Sequence, residues 1–541
     1  MVGPISLDIC LELLYYMLSQ QKGDNMGAKK KHILKVLALV ISVFTSVFWA
    51  GASSASSIDT KKTSMTFSMF QDPGRLDVVT QAATSLILWM PGNVYEPLVS
   101  FDSLDKPSPS VAKSWTVSPD GKTYKFQIDE TRKFSDGSKI MAADVVYSLE
   151  QFKNGPILAY KGPFANVSTI KATKKTEVTV VLTGRSRGFF RGMGTMAGLV
   201  MPASSEGKRN SNPIGSGPYK VVDYKPGSHI QFEYNKRSSA KKPAITSVKV
   251  RFITDSPASL LALRAGEVDG LPITSSSIWS RISSEGYTKD FRKILKPASG
   301  ELHWLMVNQK LAPYNNPAFG KAIAKMINRD NYVAGLGAPK GAMVPQCGWG
   351  IMTARTFKPA SKENCEIDFD PAQGMKELVA AGLGDQVFEF VGLTDVPSLR
   401  LSADLITQQL QSAGLKVKRK DIPLAQYSST IFNSRPPAYG LSLMGGSGNL
   451  EDFVCLDQQK YGYQTYCSPE YTKLMQRADR AASDADYFKL VSEANTLLQK
   501  DGVVIPLLAR TGLGLYNKKL VGWTPPTIRV EVRLSDFRWE K

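Results

Sequence analysis

The chain has 541 residues, of which 43% are hydrophobic and 21% are charged, a composition typical of a globular protein with several domains. These values exclude a disordered or a collagen-like chain. The formal net charge is +19 and only three histidines occur, so histidine-rich metal sites and a histidine general base are disfavoured.

An apolar run at residues 33–50 follows a basic cluster and precedes several small residues. This order of charge, apolar stretch and small-residue exit is typical of a secretory signal peptide. A transmembrane anchor of similar length is the alternative, but Lys35 shortens its uncharged part. We predict that residues 1–55 are leader and signal peptide, that synthesis starts at Met26, and that cleavage after Ala55 releases a soluble periplasmic protein.

Strands are predicted early in the mature chain. Apolar and polar residues alternate over residues 111–128 on both sides of an Asp-Gly turn, which predicts a β-hairpin because glycine tolerates a positive φ. Helical spacing follows over residues 145–152, and strand-like alternation returns at 178–182 and 230–234. This part of the chain is therefore predicted to be rich in hairpins.

Four later helices are predicted from a capping side chain followed by proline, whose fixed φ suits the first helical turn. They begin at Ser256-Pro257, Asn316-Pro317, Asp370-Pro371 and Ser468-Pro469. Further helices are predicted at about 398–412 and 485–500, next to apolar strands at 387–391 and 503–508. This alternation of helix and strand predicts an α/β fold.

Four cysteines remain after the predicted cleavage, and in an oxidising compartment they predict two disulfides. We favour the local pairings Cys347–Cys365 and Cys455–Cys467, which close the shorter loops. Buried free thiols are the alternative. The sequence contains no Cys-x-x-Cys, which argues against a redox motif or a zinc ribbon.

A series of segments, in a shared order over nearly all of the mature chain, resembles the periplasmic dipeptide/oligopeptide/nickel-binding proteins of ABC importers (family 5). Each segment is weak evidence alone, and the resemblance depends on their order. The segments are Leu76-Asp77 with Val94–Val99, Pro109–Trp115, Asp120–Phe126, Lys133–Ser138, Ala143–Ser148, Pro213–Tyr219, Leu263–Asp269, Asn308 with Pro313–Asn331, and Leu515–Trp523.

The resemblance implies a two-lobed periplasmic-binding-protein clamp of the type II-like kind, with an extra small hairpin-rich domain. Lobe I would comprise residues 56–98, 212–300 and 508–541, the small domain residues 99–211, and lobe II residues 301–507. A peptide or peptide-sized compound would be held between lobes that close about a hinge, and the closed form would dock on an ABC permease in the inner membrane. It implies reversible capture without bond chemistry, by a monomer.

Residues 444–453 correspond to the segment in which peptide-binding members carry an aspartate that meets the ligand's amino terminus. Here the family's tryptophan position holds Gly446, and its aspartate position holds Asn449, which cannot form a charge-assisted pair with an ammonium group. Either an acid after a shift of register replaces the aspartate, or the ligand lacks a free amine. The candidate ligand-binding residues are Trp304, Asn308, Ser447, Gly448, Asn449, Glu451, Asp452 and Tyr219.

Some of these candidates have a structural alternative. Trp304 falls in the strand that enters lobe II, where its ring would stack on a ligand or would simply fill the core. Tyr219 would hold the hinge rather than touch a ligand. The glycines near residue 446 would let backbone approach a ligand closely or would form a plain turn.

Positive charge is concentrated between Lys171 and Arg251, which carry sixteen lysines and arginines against four acids. Such a field attracts an anionic ligand, lipid headgroups or an acidic permease surface, and a solvated face is the alternative. Within it, Arg185, Arg187 and Arg191 form the subset of most interest, because neighbouring phenylalanines indicate a loop with apolar content.

Three other functions compete with peptide capture. The same clamp would bind a non-peptide ligand, such as haem, a nickel chelate, an opine-like conjugate or an oligosaccharide, or it would serve as a membrane-tethered chaperone. A secreted hydrolase needs a Gly-x-Ser-x-Gly elbow, which the sequence 445–449 fails at its fifth position, and its base would have to be His229 or His303. We therefore expect no enzyme activity, no cofactor, no metal and no nucleic-acid partner.

Overall fold

The computed structural model describes residues 58–102, 106–157, 160–272, 278–295, 301–337, 343–345, 368–394, 397–423, 426–427, 430–431, 439–446, 450–455, 465–510, 513–523 and 531–541. All elements named below belong to one structural unit, Asp59–Glu540. The predicted leader, residues 1–55, lies outside the described residues, as do Cys347 and Cys365. No helix within the described ranges is both long enough and apolar enough to cross a bilayer.

The strands are numbered in chain order. They are β1 (Ser64–Met69), β2 (Val99–Phe101), β3 (Pro107–Pro109), β4 (Ala112–Val117), β5 (Thr123–Ile128), β6 (Val167–Lys174), β7 (Glu177–Leu182), β8 (Tyr219–Lys225), β9 (His229–Tyr234), β10 (Ser247–Phe252), β11 (Gly270–Leu271), β12 (Arg292–Leu295), β13 (Glu301–Val307), β14 (Met343–Pro345), β15 (Val387–Leu393), β16 (Lys416–Ile422), β17 (Leu441–Gly446), β18 (Val504–Arg510), β19 (Leu513–Tyr516), β20 (Leu520–Val521) and β21 (Arg538–Trp539).

The α-helices are numbered in the same way. They are α1 (Thr84–Trp89), α2 (Ala142–Asn154), α3 (Arg187–Gly192), α4 (Ser256–Arg264), α5 (Trp279–Ser284), α6 (Tyr287–Asp290), α7 (Pro317–Lys325), α8 (Arg329–Gly335), α9 (Pro371–Ala380), α10 (Pro397–Ser412), α11 (Pro469–Arg480) and α12 (Asp484–Lys500). A short 3₁₀ helix at Leu450–Phe453 follows β17.

Local sequence signals explain several of these elements. The predicted hairpin is confirmed: β4 and β5 pair antiparallel, and Gly121 in their turn has a φ of +71°. The predicted caps Asn316, Asp370 and Ser468 accept a backbone hydrogen bond at the starts of α7, α9 and α11. The helix predicted to be capped by Ser256 is capped one residue earlier, because the Asp255 carboxylate accepts from the Ala258 amide at 2.6 Å.

The first sheet has the strand order β12-β19-β11-β1-β10-β9-β8. Its centre is parallel, with β1 paired to β10 and β11, and its two sides are antiparallel. The strands come from three separate stretches of the chain, at 64–69, 219–295 and 513–516. Such interleaving places the early and late parts of the chain in one layer.

A smaller antiparallel sheet, in the order β4-β5-β7-β6, lies within residues 112–182 and is covered by α2. The second large sheet has the order β14-β18-β13-β17-β15-β16 and takes its strands from residues 301–510. In it, β13 is flanked by antiparallel β17 and β18, while β15 runs parallel to β16 and β17. We refer below to the first sheet, the small sheet and the second sheet.

Three apolar clusters fill the interior. One takes its residues from 65–252 and 516–539, so the first sheet and the small sheet share a continuous core. Another lies within the second sheet's part of the chain, from Trp304 to Ala509. The remaining cluster extends from Leu260 to Leu515 and includes residues of both large sheets. The first and second sheets are therefore joined by apolar packing on the side where the chain crosses between them.

Candidate functional site

The chain crosses between the two large sheets at two adjacent points. In the first sheet, the neighbouring strands β12 and β19 meet at the pair Leu295 and Leu513. In the second sheet, β13 and β18 meet at the pair Glu301 and Arg510. The two crossings of the chain therefore start and end at neighbouring strand ends in both sheets. These paired strand ends mark the end of each sheet at which the chain crosses, and we call this region the junction.

The predicted ligand-binding segment begins at this junction. Strand β17 runs antiparallel to β13, and its last residue, Gly446, lies opposite Leu302, one residue into β13. Residues 447–449, which include the predicted contacts Ser447, Gly448 and Asn449, lie outside the described residues. The last described residue before them, Gly446, lies at the end of the second sheet from which the chain crosses to the first, and their role in ligand binding stays a prediction.

The chain after this segment is fixed to the second sheet's core. Glu451 and Asp452 lie in the 3₁₀ helix Leu450–Phe453, whose first carbonyl accepts a 2.8 Å hydrogen bond from the Tyr471 hydroxyl. Cys455 and Cys467 form a disulfide, with their Cα atoms 4.9 Å apart. The second predicted local pairing is thereby confirmed. A covalent link and a buried hydrogen bond hold the downstream end of the segment in place.

Trp304 lies within β13, whereas Asn308 directly follows the last residue of that strand. Trp304 is 5% exposed and lies opposite Met444 of β17, in the apolar cluster of the second sheet. Asn308 follows the far end of β13, where its side-chain amide donates to the Tyr439 carbonyl at 2.6 Å. Four residues of strand separate the two by about 13 Å. The structure brings Trp304, but not Asn308, next to the end of β17.

Tyr219 lies in the first sheet's core. It is fully buried on the edge strand β8, and its hydroxyl donates to the Ile245 carbonyl at 2.6 Å. Burial raises the pKa of the Tyr219 hydroxyl well above its ordinary value, so the hydroxyl stays protonated and remains a donor to that carbonyl. Tyr219 therefore fills the core of the first sheet, and its strand β8 is at the opposite edge of that sheet from β12, where the chain crosses to the second sheet, so the structure does not place it at the predicted hinge.

Glu96 and Ser216, which belong to two of the resemblance segments, bind each other, and Asn93 directly precedes the first of these segments. Glu96 accepts from Arg132 Nη1 at 2.6 Å and from Ser216 Oγ at 2.8 Å. Asn93 donates to the Trp89 and Val532 carbonyls at 3.1 and 2.7 Å. These side chains bind protein groups from distant parts of the chain. The segments that carry the resemblance thus stabilise the fold.

The three arginines singled out in the basic stretch have different surroundings. Arg185 donates to the Pro119 carbonyl at 3.1 Å, within the small sheet's own loops. Arg187 instead reaches the second sheet's helices, where its guanidinium forms an ion pair with Asp484 and donates to the Ala481 carbonyl at 3.1 Å. This contact between the small sheet's part of the chain and the helices α11 and α12 was not predicted. The sequence predicted a loop with apolar content at this point, but residues 187–192 form the short helix α3, capped by the Ser186 hydroxyl, and nothing in the sequence indicated its partner.

The two histidines proposed as possible bases have local partners. His229 lies on the β8–β9 hairpin, with Nε2 at 3.0 Å from Asp223 Oδ2 and Nδ1 at 2.9 Å from the hydroxyl of the adjacent Ser228. His303 is buried, with Nδ1 at 3.4 Å from the Tyr332 hydroxyl. His303 lies on β13 opposite Gly445, the last residue but one of β17, whereas His229 lies in the first sheet. Among the described residues, no cluster of three or more histidine, cysteine or acidic side chains is arranged to hold a metal ion.

The family profile described as "Bacterial extracellular solute-binding proteins, family 5 Middle" matches residues 106–464, which is more than half of the chain. The chain belongs to this family. As a family 5 solute-binding protein it has the two-lobed fold of periplasmic binding proteins, and the two large sheets joined by adjacent crossings form the two lobes.

Named relatives of this solute-binding protein cover most of its length. It is 23% identical over 500 residues to the dipeptide-binding protein DppE of Bacillus subtilis, covering 84% of this chain and 87% of the relative. It is 22% identical over 493 residues to the peptide transport periplasmic protein SapA of Salmonella typhimurium, covering 82% of this chain and 86% of the relative. Neither relative is described as an enzyme.

Solved structures share the fold. The ABC transporter-associated periplasmic binding protein DppA of Helicobacter pylori, in complex with the peptide STSA, has a TM-score of 0.72 at 20% identity, covering 88% of this chain and 98% of that one. NikA of Brucella suis, in complex with Fe(III)-EDTA, has a TM-score of 0.73 at 19% identity, covering 88% of this chain and 100% of that one. Similar folds therefore hold chemically different ligands.

Proposed function

We propose that this solute-binding protein captures peptides or peptide-sized compounds between its two lobes and delivers them to an ABC permease in the inner membrane. Capture is reversible, with no bond made or broken. The protein acts as a periplasmic monomer after removal of the leader. The observation that carries the peptide assignment is the agreement of DppE and SapA, two relatives described by peptide binding or transport, over more than four-fifths of this chain.

The proposed site is the edge of the second lobe at which β13 begins and β17 ends, where the chain crosses between the two large sheets. Trp304 would supply an aromatic wall beside the end of β17, and the segment with Ser447, Gly448 and Asn449 would supply polar and backbone groups. Glu451 or Asp452 would meet the peptide's ammonium group in place of the family's aspartate. The lobe boundaries would be close to those predicted above: 56–98, 212–300 and 508–541 for the first lobe, 99–211 for the small domain, and 301–507 for the second lobe. Because β18 continues in the second sheet to Arg510, the second lobe would extend to that residue.

A second ligand class is supported by one feature of the sequence. Asn449 occupies the position where the peptide-binding pattern has an aspartate, so the charge that would pair with a free amine is missing there. The same fold in NikA holds Fe(III)-EDTA, which has no free amine and no peptide bond. A non-peptide ligand is therefore the alternative.

A binding experiment with two matched pools of peptides distinguishes a peptide ligand from a non-peptide ligand. The protein is incubated with an equimolar pool of random tripeptides to pentapeptides, freed of unbound peptide by gel filtration, and denatured so that released ligands are read by mass spectrometry. A parallel pool is acetylated at the amino terminus. Retention of free peptides with loss of acetylated ones supports peptide capture through an acid. Retention of neither pool, by a protein that binds a non-peptide compound, contradicts it.

A further inference from the structure

A set of polar contacts joins the small sheet's part of the chain to the second lobe. On one side are Asn166 and the start of α3, and on the other side are the end of α11 and the start of α12. We call this set the interlobe contact; its members are Asn166, Ser186, Arg187 and Gly188 on the first side, and Asp479, Ala481, Asp484 and Tyr487 on the second.

Asp479 accepts hydrogen bonds from the opposite side. Its Oδ1 atom accepts from the Gly188 amide at 3.0 Å and from the Ser186 hydroxyl at 3.2 Å. Its Oδ2 atom accepts from the Asn166 amide at 3.4 Å. A carboxylate that accepts from a backbone N–H and two side chains forms stronger hydrogen bonds than a neutral acceptor would. Asp479 therefore binds the small sheet's part of the chain at three points.

Arg187 reaches in the opposite direction. Its guanidinium pairs with the Asp484 carboxylate and donates to the Ala481 carbonyl at 3.1 Å. Its Cζ atom lies 5.1 Å from the centre of the Tyr487 ring, within the range of a cation–π contact. The Arg187 side chain is 22% exposed and that of Asp484 is 46% exposed, so water competes less for the guanidinium than on an open surface but still solvates the carboxylate. Charge, hydrogen bonding and stacking thus act on one side chain.

Both sides of the contact are held rigidly. Phe189 is buried next to Tyr124, with ring centres 5.0 Å apart, and Phe190 packs on Trp115 at 5.5 Å, so α3 is fixed to the small sheet. On the other side, the buried faces of α11 and α12 lie in the second lobe's apolar cluster. If the distance between the lobes changed, local rearrangement would not preserve these contacts, because α3 is packed on the small sheet and α11 and α12 are packed in the second lobe.

The small sheet shares a continuous core with the first sheet, and that core includes no residue of the second sheet. A movement about the crossing segments would therefore carry α3 away from α11 and α12 and break the interlobe contact. Interactions present in only one of two conformations shift the equilibrium towards that conformation. The apparent affinity for a ligand held between the lobes then rises with the population of the closed form.

We infer that Arg187, Asp479 and Asp484 hold the lobes closed and so act as positioning residues for ligand capture without touching the ligand. This inference rests on the proposed function, because it assumes that the lobes close on a solute. It also assigns a role to Arg187 that differs from attraction of an anionic ligand. The arginine is paired with Asp484 of its own chain.

The test combines substitutions with two measurements. The variants are Asp479→Asn, Arg187→Gln, Asp484→Asn and the double variant Arg187→Gln with Asp484→Asn. Arg185→Gln is the matched control, because Arg185 lies two residues away and donates within the small sheet's loops. Dissociation constants are measured for a peptide that the wild type binds, and hydrogen exchange is measured over residues 186–192 with and without that peptide.

We expect the three single variants to weaken peptide binding by about three- to tenfold, while the control leaves it unchanged. The double variant should bind the peptide no more weakly than the weaker-binding of its two parent variants, since both parents lose the same ion pair. Ligand should protect the Gly188 amide in the wild type and in Arg185→Gln, and this protection should be lost in Asp479→Asn. Because salt screens the ion pair, high salt should reduce the difference in peptide affinity between the wild type and Arg187→Gln.

Unchanged affinity together with unchanged exchange in Asp479→Asn and Arg187→Gln would overturn the inference. The result differs from a failure of the proposed function, in which the wild type itself binds no peptide. If the wild type binds no peptide, hydrogen exchange at residues 186–192 that is faster in Asp479→Asn than in the wild type still supports the interlobe contact. A thermal melt identifies any variant that fails to fold, and Arg187→Lys, which keeps the charge but loses the fork of donors, then replaces Arg187→Gln.

Discussion

Arg209 and Asp77, which lie 132 residues apart in the chain, form an ion pair in which Arg209 Nε is 2.9 Å from Asp77 Oδ1. The arginine side chain is 7% exposed and the aspartate 16%, and Arg209 Nη1 also donates to the Tyr147 hydroxyl at 2.8 Å. Asp77 belongs to the first segment of the family resemblance. Through Arg209, this contact links the early chain to Tyr147 of α2.

We expect Arg209→Ala to destabilise the protein by about 3 kcal/mol, because it leaves a poorly solvated carboxylate without its partner. Tyr147→Phe is the matched control and should cost about 1 kcal/mol, since it removes one hydrogen bond and keeps the ion pair. Urea unfolding followed by circular dichroism gives both values. Equal losses in the two variants would mean that the ion pair contributes little.

Gly217 lies where two backbone segments approach closely. A Cβ atom at this position would lie 2.2 Å from the Asn93 carbonyl oxygen, while at Gly207, with a φ of +71°, it would meet nothing within 4 Å. We expect Gly217→Ala to destabilise the protein by more than about 2 kcal/mol and Gly207→Ala by about 1 kcal/mol. Thermal melts of both variants test this. A Gly217→Ala protein as stable as wild type would contradict the close approach.

Asp72 gives the stability a defined dependence on pH. Burial acts to raise the pKa of its carboxyl, but hydrogen bonds from the Gly74 and Gly227 amides and the Tyr224 hydroxyl together hold that pKa below its ordinary value of 3.8. A group whose pKa is lowered in the folded state stabilises it above the unfolded pKa, and this contribution disappears as the pH falls through the folded pKa.

We therefore expect Asp72→Asn to be less stable than wild type by about 1 kcal/mol from pH 7 to pH 5, with a difference that shrinks below about pH 4. Tyr224→Phe removes a 2.7 Å hydrogen bond but keeps the carboxylate, so its pH dependence should persist at reduced size. Urea unfolding at a series of pH values measures both. A difference that grows on acidification would contradict the assigned direction.

Asn449 is the position where the sequence departs from the peptide-binding pattern. If the ligand is a peptide held at this edge of the second lobe, Asn449→Asp should strengthen binding of a free-amine peptide by about tenfold and leave its acetylated form unchanged. Asn495→Asp on α12 adds the same charge away from the end of β17 and serves as the control. Isothermal titration calorimetry gives the affinities. An equal effect of both substitutions would point to overall charge rather than to the site.

Local signals in the sequence predicted much of the fold. Asn316, Asp370 and Ser468 cap helices as expected because a capping side chain acts on amides two or three residues away. The start of α4 differs by one residue, since two adjacent polar residues, Asp255 and Ser256, competed for the cap. Such competition depends on side-chain geometry that the sequence alone does not specify.

The candidate site was less predictable because its contacts join distant parts of the chain. Trp304 and Asn308 are close in sequence, yet a strand separates them by about 13 Å, so only Trp304 lies beside the end of β17. The contact of Arg187 with Asp484 spans 297 residues and depends on how α3 and α12 are placed by their separate cores. Charge counting identified Arg187 but not its partner.

Capture of peptides between the lobes is tested most directly by native mass spectrometry of the exported protein, recovered from the cells that make it. Ligands carried through purification are released by unfolding and identified. We predict peptides of mixed sequence, bound one per protein molecule. A single non-peptide compound in every occupied molecule would contradict the peptide assignment and leave the two-lobed fold and the family unaffected.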